Sequence, residues 1–128
     1  WTMDDMRQYN VVDRQPIVFN FHDMRIISAP PPSSGGIVLA ETLNVLENYD
    51  LKNLDPLTRR HVVIEAMRRG YRDRADYLGD PDFVDIPVSR LISKSYAAEL
   101  ANNLSLEKAT PSTSLPAIGE ITKGRDTN

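Results

Sequence analysis

The chain has 128 residues, 41% of them hydrophobic and 26% charged, and a net charge of −3. That suffices for one ordinary domain, argues against whole-chain disorder, and gives no reason to expect nucleic acid as a partner. No cysteine is present, so disulfides and thiolate chemistry are excluded, while any compartment remains open. The longest mainly apolar run, 37–46, is broken by Glu41 and Asn44 and is too short to span a bilayer, so no membrane contact is expected from this segment.

In chain order, "WTMDDMRQY" predicts a short helix, with Thr2 as N-cap and Asp5 three residues on as an acidic capping box. There is no initiator Met and no signal sequence, and a chain that opens on a helix cap reads as cut from something longer. "PIVFNFHDMRIISA" predicts a β-hairpin turning at His22-Asp23, although His-Asp is not a preferred two-residue turn. Its register sets Phe21 opposite Met24 and Phe19 opposite Ile26 on one apolar face, with Asn20 and Arg25 paired on the other.

Pro30, Pro31 and Pro32 must end the second strand, because each fixes φ and donates no backbone N–H. Ser33 and Ser34 can cap a helix, and Gly35 and Gly36 let the chain bend sharply. A helix over 37–49 follows. Glu41, Asn44 and Asn48 mark a narrow polar stripe on an otherwise apolar or neutral surface that needs cover on most sides.

A second helix is predicted over 56–78, opened by Asp55 with Pro56 at its first position. Leu57, His61, Ile64, Met67, Tyr71, Ala75 and Leu78 fall on one face at helical spacing, and Gly79 is placed to end the helix in the left-handed conformation. "GDPDF" then makes a turn. "PVSRLISKSYAAELANNL" gives one or two more helices, with Ser93 capping the one that ends near Leu104. From Ala109 onward there is no helical or strand period. The chain therefore divides into a scaffold segment, 1–108, and an extended or mobile tail, 109–128. The fold class is α+β, mostly helical with one hairpin, and no internal repeat is evident.

Candidate chemistry is sparse. Arg59, Arg60, Arg68, Arg69, Arg72 and Arg74 could bind phosphates, but interleaved acids favour a solvated or ion-paired face. His22 and His61 are not spaced as a metal pair and read as structural. Asp73, Asp76, Asp80, Asp82 and Asp85 do not match a calcium loop; Arg72 or Arg74 pairing with Asp80 or Asp82 would hold the turn below the helix. The turn Ser33-Ser34-Gly35-Gly36 is the best site candidate, because a helix N-terminus offers free N–H groups to an anion. It is neither a P-loop nor a nucleophile elbow, and a stiff turn is the other reading.

Four stretches, "WTMDDMRQYNVV", "APPPSSGGIVLAETLNVLENYDL", "EAMRRGYRDRADYLGDPDFVDIPVSRLISKSYAAEL" and the closing tail, together resemble the γ-glutamyltranspeptidase family over nearly the whole chain. "PPPSSGG" followed by "LNVLE", with "DRADYLGDPDF" downstream, is specific in combination. The resemblance implies the four-layered αββα fold of N-terminal-nucleophile hydrolases, completed here by other chains. It implies a precursor that cuts itself into large and small subunits. The Thr exposed at the small subunit's N-terminus would attack the γ-glutamyl amide of glutathione or related compounds, with its own α-amine as base. The acyl group would then pass to water, an amino acid or a peptide.

This chain resembles the C-terminal part of the large subunit. The resemblance therefore places no catalytic residue here, implies no cofactor or metal, and gives Ser33, Ser34, Gly35 and Gly36 no role in the family's chemistry. Asn128 alone inherits a label, as the residue before the self-cleaved bond, with the nucleophilic Thr expected next. The implied partners are the small catalytic subunit, the rest of the large subunit and γ-glutamyl substrates. The implied location is periplasmic or secreted. A related acylase acting on cephalosporin side chains or poly-γ-glutamate, and a non-enzymatic helical interaction module, are the alternatives.

Overall fold

A computed structural model describes residues 1–115. Its elements are α1 (Met3–Gln8), β1 (Ile17–Phe21), β2 (Met24–Ser28), α2 (Gly35–Leu46), α3 (Pro56–Tyr77), α4 (Val88–Leu91) and α5 (Lys94–Asn102), then a 3₁₀ turn at Ser112–Ser114. The expected order of elements is present, and the last helical region is two helices. Helix α1 is held by its own ends: Asp5 N–H donates to Thr2 Oγ1 at 3.2 Å and Thr2 N–H donates to Asp5 Oδ2 at 2.6 Å. No residue of α1 is buried.

The hairpin has the expected register, Phe19 opposite Ile26, Asn20 opposite Arg25 and Phe21 opposite Met24. Ile17 and Phe19 are buried, whereas Met24 is 57% exposed, which corrects its place on the apolar face. It sits beside the turn, at the open end of a two-stranded ribbon. His22 takes a positive φ of 49°, a conformation costly for a residue with a Cβ. Its N–H donates to Glu47 Oε1 at 2.6 Å, and Lys94 Nζ bridges Glu47 and the Asn20 carbonyl. These charge-assisted bonds fix an otherwise unfavoured turn to the end of α2.

Helix α2 is the hub, packed on both strands and on α3, α4 and α5. It begins two residues earlier than expected and ends three earlier; Asn48 and Tyr49 lie in tightened turns that bond Val45 and Leu46 carbonyls at 3.2 and 3.1 Å. Gly36 is required by close approach: a Cβ there would stand 2.4 Å from the Ala29 carbonyl oxygen at the end of β2. Ser34 occupies the N-cap position but makes no capping bond. Its Oγ accepts from Arg74 Nε at 3.0 Å instead.

Two of the three residues of the expected polar stripe, Glu41 and Asn44, point inward, while Asn48 is exposed beyond the end of α2. Glu41 and Asn44 are each 1% exposed, while Leu39 is 42% exposed. Spacing explains this, since Ile37, Glu41, Asn44 and Val45 share a face. Asn44 Nδ2 donates to the Ile92 carbonyl at 2.8 Å, so part of its polarity is satisfied inside.

Helix α3 opens as expected, with Asp55 Oδ1 accepting from Leu57 and Thr58 N–H at 2.9 and 3.1 Å. It ends differently. Leu78 is the C-cap in an extended conformation, φ −95° and ψ 137°, and Gly79 does not take the left-handed one. The chain leaves the helix through Leu78, so no left-handed glycine is needed.

The face of α3 that meets α2 is also not the expected one. Val62, Glu65, Ala66, Arg69, Gly70 and Asp73 are buried, whereas Leu57, Ile64, Met67 and Tyr71 are 75%, 56%, 46% and 59% exposed. Ala66 and Gly70 decide this by size. A Cβ on Gly70 would already lie 3.2 Å from Thr42 Oγ1. Larger residues there would push the two helices apart.

Candidate functional site

The Ser33–Gly36 turn lies at one end of a groove of about 310 Å³ between α2 and α3. Ser34, Gly35, Leu39, Met67, Tyr71 and Arg74 line it. The Ser34 hydroxyl is engaged by the Arg74 guanidinium rather than by a base, so nothing here activates it as a nucleophile. The groove is chiefly apolar, which suits packing better than anion capture.

The carboxylates downstream are arranged as scaffold, though not in the expected pairs. Arg72 pairs with Asp76 at 3.1 Å, Arg74 with the Ser34 hydroxyl, and it is Arg14, before the hairpin, that holds Asp82 at 2.8 Å. Asp80 instead shapes the turn locally, its Oδ1 accepting from Asp82 N–H at 3.0 Å. Arg72 and Arg74 are taken up by Asp76 and Ser34, and Arg14, from the stretch before β1, pairs with Asp82. His61 Nε2 bonds the Ser105 carbonyl at 2.8 Å, and the His22 ring packs on Phe21 with centroids 4.4 Å apart. Among the described residues no cluster of His, Asp or Glu is placed to hold a metal, and no helix is long and apolar enough to cross a membrane.

Two buried polar groups were not foreseen as such. In the first, Glu65 bonds Arg69 Nη1 at 2.8 Å and also pairs with Arg68. Burial alone would raise the Glu65 carboxyl, but Arg69, Thr110 and Arg68 outweigh it and hold it at about 2. The same arginines reach the root of the tail: Arg69 Nη2 donates to the Asn103 carbonyl at 2.9 Å and Thr110 Oγ1 at 3.3 Å, and Arg68 Nη2 to Ser112 Oγ at 3.0 Å.

In the second, Tyr96 Oη donates to Asp73 Oδ2 at 2.5 Å, and Glu41 faces the same Asp73. Burial and the nearby carboxylate push Glu41 up, and burial pushes Asp73 and Tyr96 up. The signal for this cluster was available in spacing. Glu41 is four residues from both Ile37 and Val45, and Asp73 continues the row of Ala66 and Gly70.

The first polar group ties α3 to the end of α5 and the root of the tail, the second joins α3 to α5 beside α2, and the fold to which these helices belong is that of the N-terminal-nucleophile hydrolases. The family model of Gamma-glutamyltranspeptidase matches residues 1–127, and the chain belongs to that family.

The chain is 40% identical over 116 residues to the glutathione hydrolase proenzyme of Escherichia coli strain K12, covering 89% of this chain and 20% of that protein. It is similar in structure to Helicobacter pylori gamma-glutamyltranspeptidase, with a TM-score of 0.87 and 40% identity over 95% of this chain and 37% of that one. A cephalosporin acylase from Bacillus halodurans is similar at a TM-score of 0.75 and 27% identity, over 82% of this chain and 19% of that one. The chain spans about a fifth of the length of the curated relatives it matches.

Proposed function

We propose that this chain is the C-terminal part of the large subunit of a γ-glutamyltranspeptidase. The whole enzyme cleaves the γ-glutamyl amide of glutathione and related compounds and passes the acyl group to water, amino acids or peptides. The nucleophile is the N-terminal Thr of a separate small subunit, directly after Asn128, and this chain supplies scaffold. The family match over residues 1–127 carries the reading. Two structural features support it. The open apolar face of α3 suits cover by the small subunit and the rest of the large subunit. The Arg68–Arg69 fork anchors Thr110 and Ser112, so the tail leading to Asn128 starts from a fixed root.

Asn128, and the tail from 116 on, lie outside the described residues. The processing site is tested by expressing the full precursor and sequencing the new N-terminus. A single cut directly after Asn128, exposing Thr, is expected; an uncut active protein, or a cut elsewhere, would overturn the assignment. A periplasmic or secreted location belongs to the same proposal, and cell fractionation of the full protein tests it.

A second reading, an acylase of the cephalosporin type, is favoured by the similarity to the Bacillus halodurans enzyme. Comparing turnover of glutathione with that of a cephalosporin side-chain amide by the assembled enzyme separates the two.

A further inference from the structure

Glu41, Asp73 and Tyr96 meet where α2, α3 and α5 come together, at 1%, 1% and 2% exposure. Among the described residues, neither Glu41 oxygen has a conventional hydrogen-bond partner. The group it faces is another carboxyl, that of Asp73. Two carboxyl oxygens attract only when a proton lies between them; two buried carboxylates in contact repel. Asp73 already accepts from Tyr96 Oη at 2.5 Å, which stabilises its ionised form and leaves Glu41 as the natural holder of the proton.

We propose that Glu41 and Asp73 share one proton across the α2–α3 seam, and that this proton, together with the Tyr96 hydroxyl, is a latch joining α2, α3 and α5 that loosens when the proton is lost.

The groups facing the pair fit this assignment. From α3 come Asp76, already paired with Arg72, and the buried Tyr77 hydroxyl. From α4 comes Arg90, whose guanidinium lies 4.7 Å from the centre of the Tyr96 ring and whose charge favours ionised Asp73. Strand β1 turns Ile17 and Phe19 inward, neither of which titrates. Asp76 and Arg72 offset one another, so the net charge facing the pair is that of Arg90, one positive charge against a pair that holds one negative charge when it keeps its proton.

Burial and the Asp73 charge raise Glu41 from the ordinary 4.5 to about 9. Below 4.5 the group is protonated in folded and unfolded chains alike. Between 4.5 and about 9 the folded chain keeps a proton that the unfolded chain has lost, so stability falls as pH rises through that window and levels off above it.

The test uses the full-length processed enzyme and its E41Q and D73N variants. Hydrogen exchange in α2 and α3, corrected for the intrinsic pH dependence, is followed from acid to alkali. A carboxyl infrared band is recorded at neutral pH. E41Q replaces the protonated acid with an amide that donates to Asp73 without a titrating proton. The expected result is that local opening of α2 and α3 in the wild type rises with pH by up to about tenfold per unit, the one-proton limit. It is expected to stay flat in E41Q, which also loses a protonated-carboxyl band. Parallel exchange profiles in wild type and variants, or no protonated-carboxyl band at neutral pH, would overturn the proposal. If neither variant folds, a flat wild-type profile overturns it and a rising profile with the band present supports it.

Discussion

One face of α3 carries Leu57, Ile64, Met67 and Tyr71 and stands open, while the opposite face carries Glu65, Arg69 and Asp73 and is closed against the rest of the chain. Hydrophobicity alone would reverse this choice. The buried face wins within this chain for two reasons. Ala66 and Gly70 let α2 approach closely. The charges there are answered, Glu65 by two arginines and Asp73 by Tyr96 and the Glu41 proton. Among the described residues the open face has no such partner, and in the proposed enzyme it belongs to the remainder of the fold.

The largest expected effect comes from breaking the answered charges. Arg69→Ala leaves a buried Glu65 carboxylate with only Arg68 and Thr110, and is expected to cost about 3–5 kcal/mol in denaturant unfolding of the assembled enzyme. Glu65 is depressed from 4.5 to about 2, so its contribution is present above 4.5 and fades as pH falls toward 2. An acid titration of stability should therefore flatten over that range in Arg69→Ala. If the variant melts like the wild type, the polar face is not what holds α3.

Gly36→Ala drives a methyl to within 2.4 Å of the Ala29 carbonyl, and about 1–3 kcal/mol of destabilisation is expected from thermal melts. Tyr96→Phe removes the hydroxyl from Asp73 Oδ2 and should cost about 1–3 kcal/mol, with α3 and α5 exchanging hydrogen faster. The smallest effect is expected for Ser34→Ala, which loses one exposed bond from Arg74. Stability should change by less than about 0.5 kcal/mol, and γ-glutamyl hydrolysis should be unaltered. A large loss of turnover would return the Ser33–Gly36 turn to the active site.

Local signals carried much of the fold. The Thr2–Asp5 capping box, the Asp55-Pro56 helix start, the Ser93 cap and the hairpin register all stand as read, because each depends on residues a few positions apart. Orientation of the long helices did not follow from the same reasoning. Ranking residues by polarity turned Glu41 and Asn44 toward water and Ile64 and Met67 toward the core, since pairing across elements is invisible in one helix's spacing. The Arg14–Asp82 bridge escaped for the same reason, its partners being 68 positions apart. The groove beside Ser34 was found at the expected turn, but its hydroxyl is held by a side chain 40 residues away.

The most direct test of the scaffold role is γ-glutamyl-p-nitroanilide hydrolysis, measured on the isolated chain and again on the complete processed enzyme. Turnover is expected only in the complete enzyme, with none from this chain alone. Hydrolysis by the isolated chain would contradict the assignment of the catalytic groups to the rest of the protein.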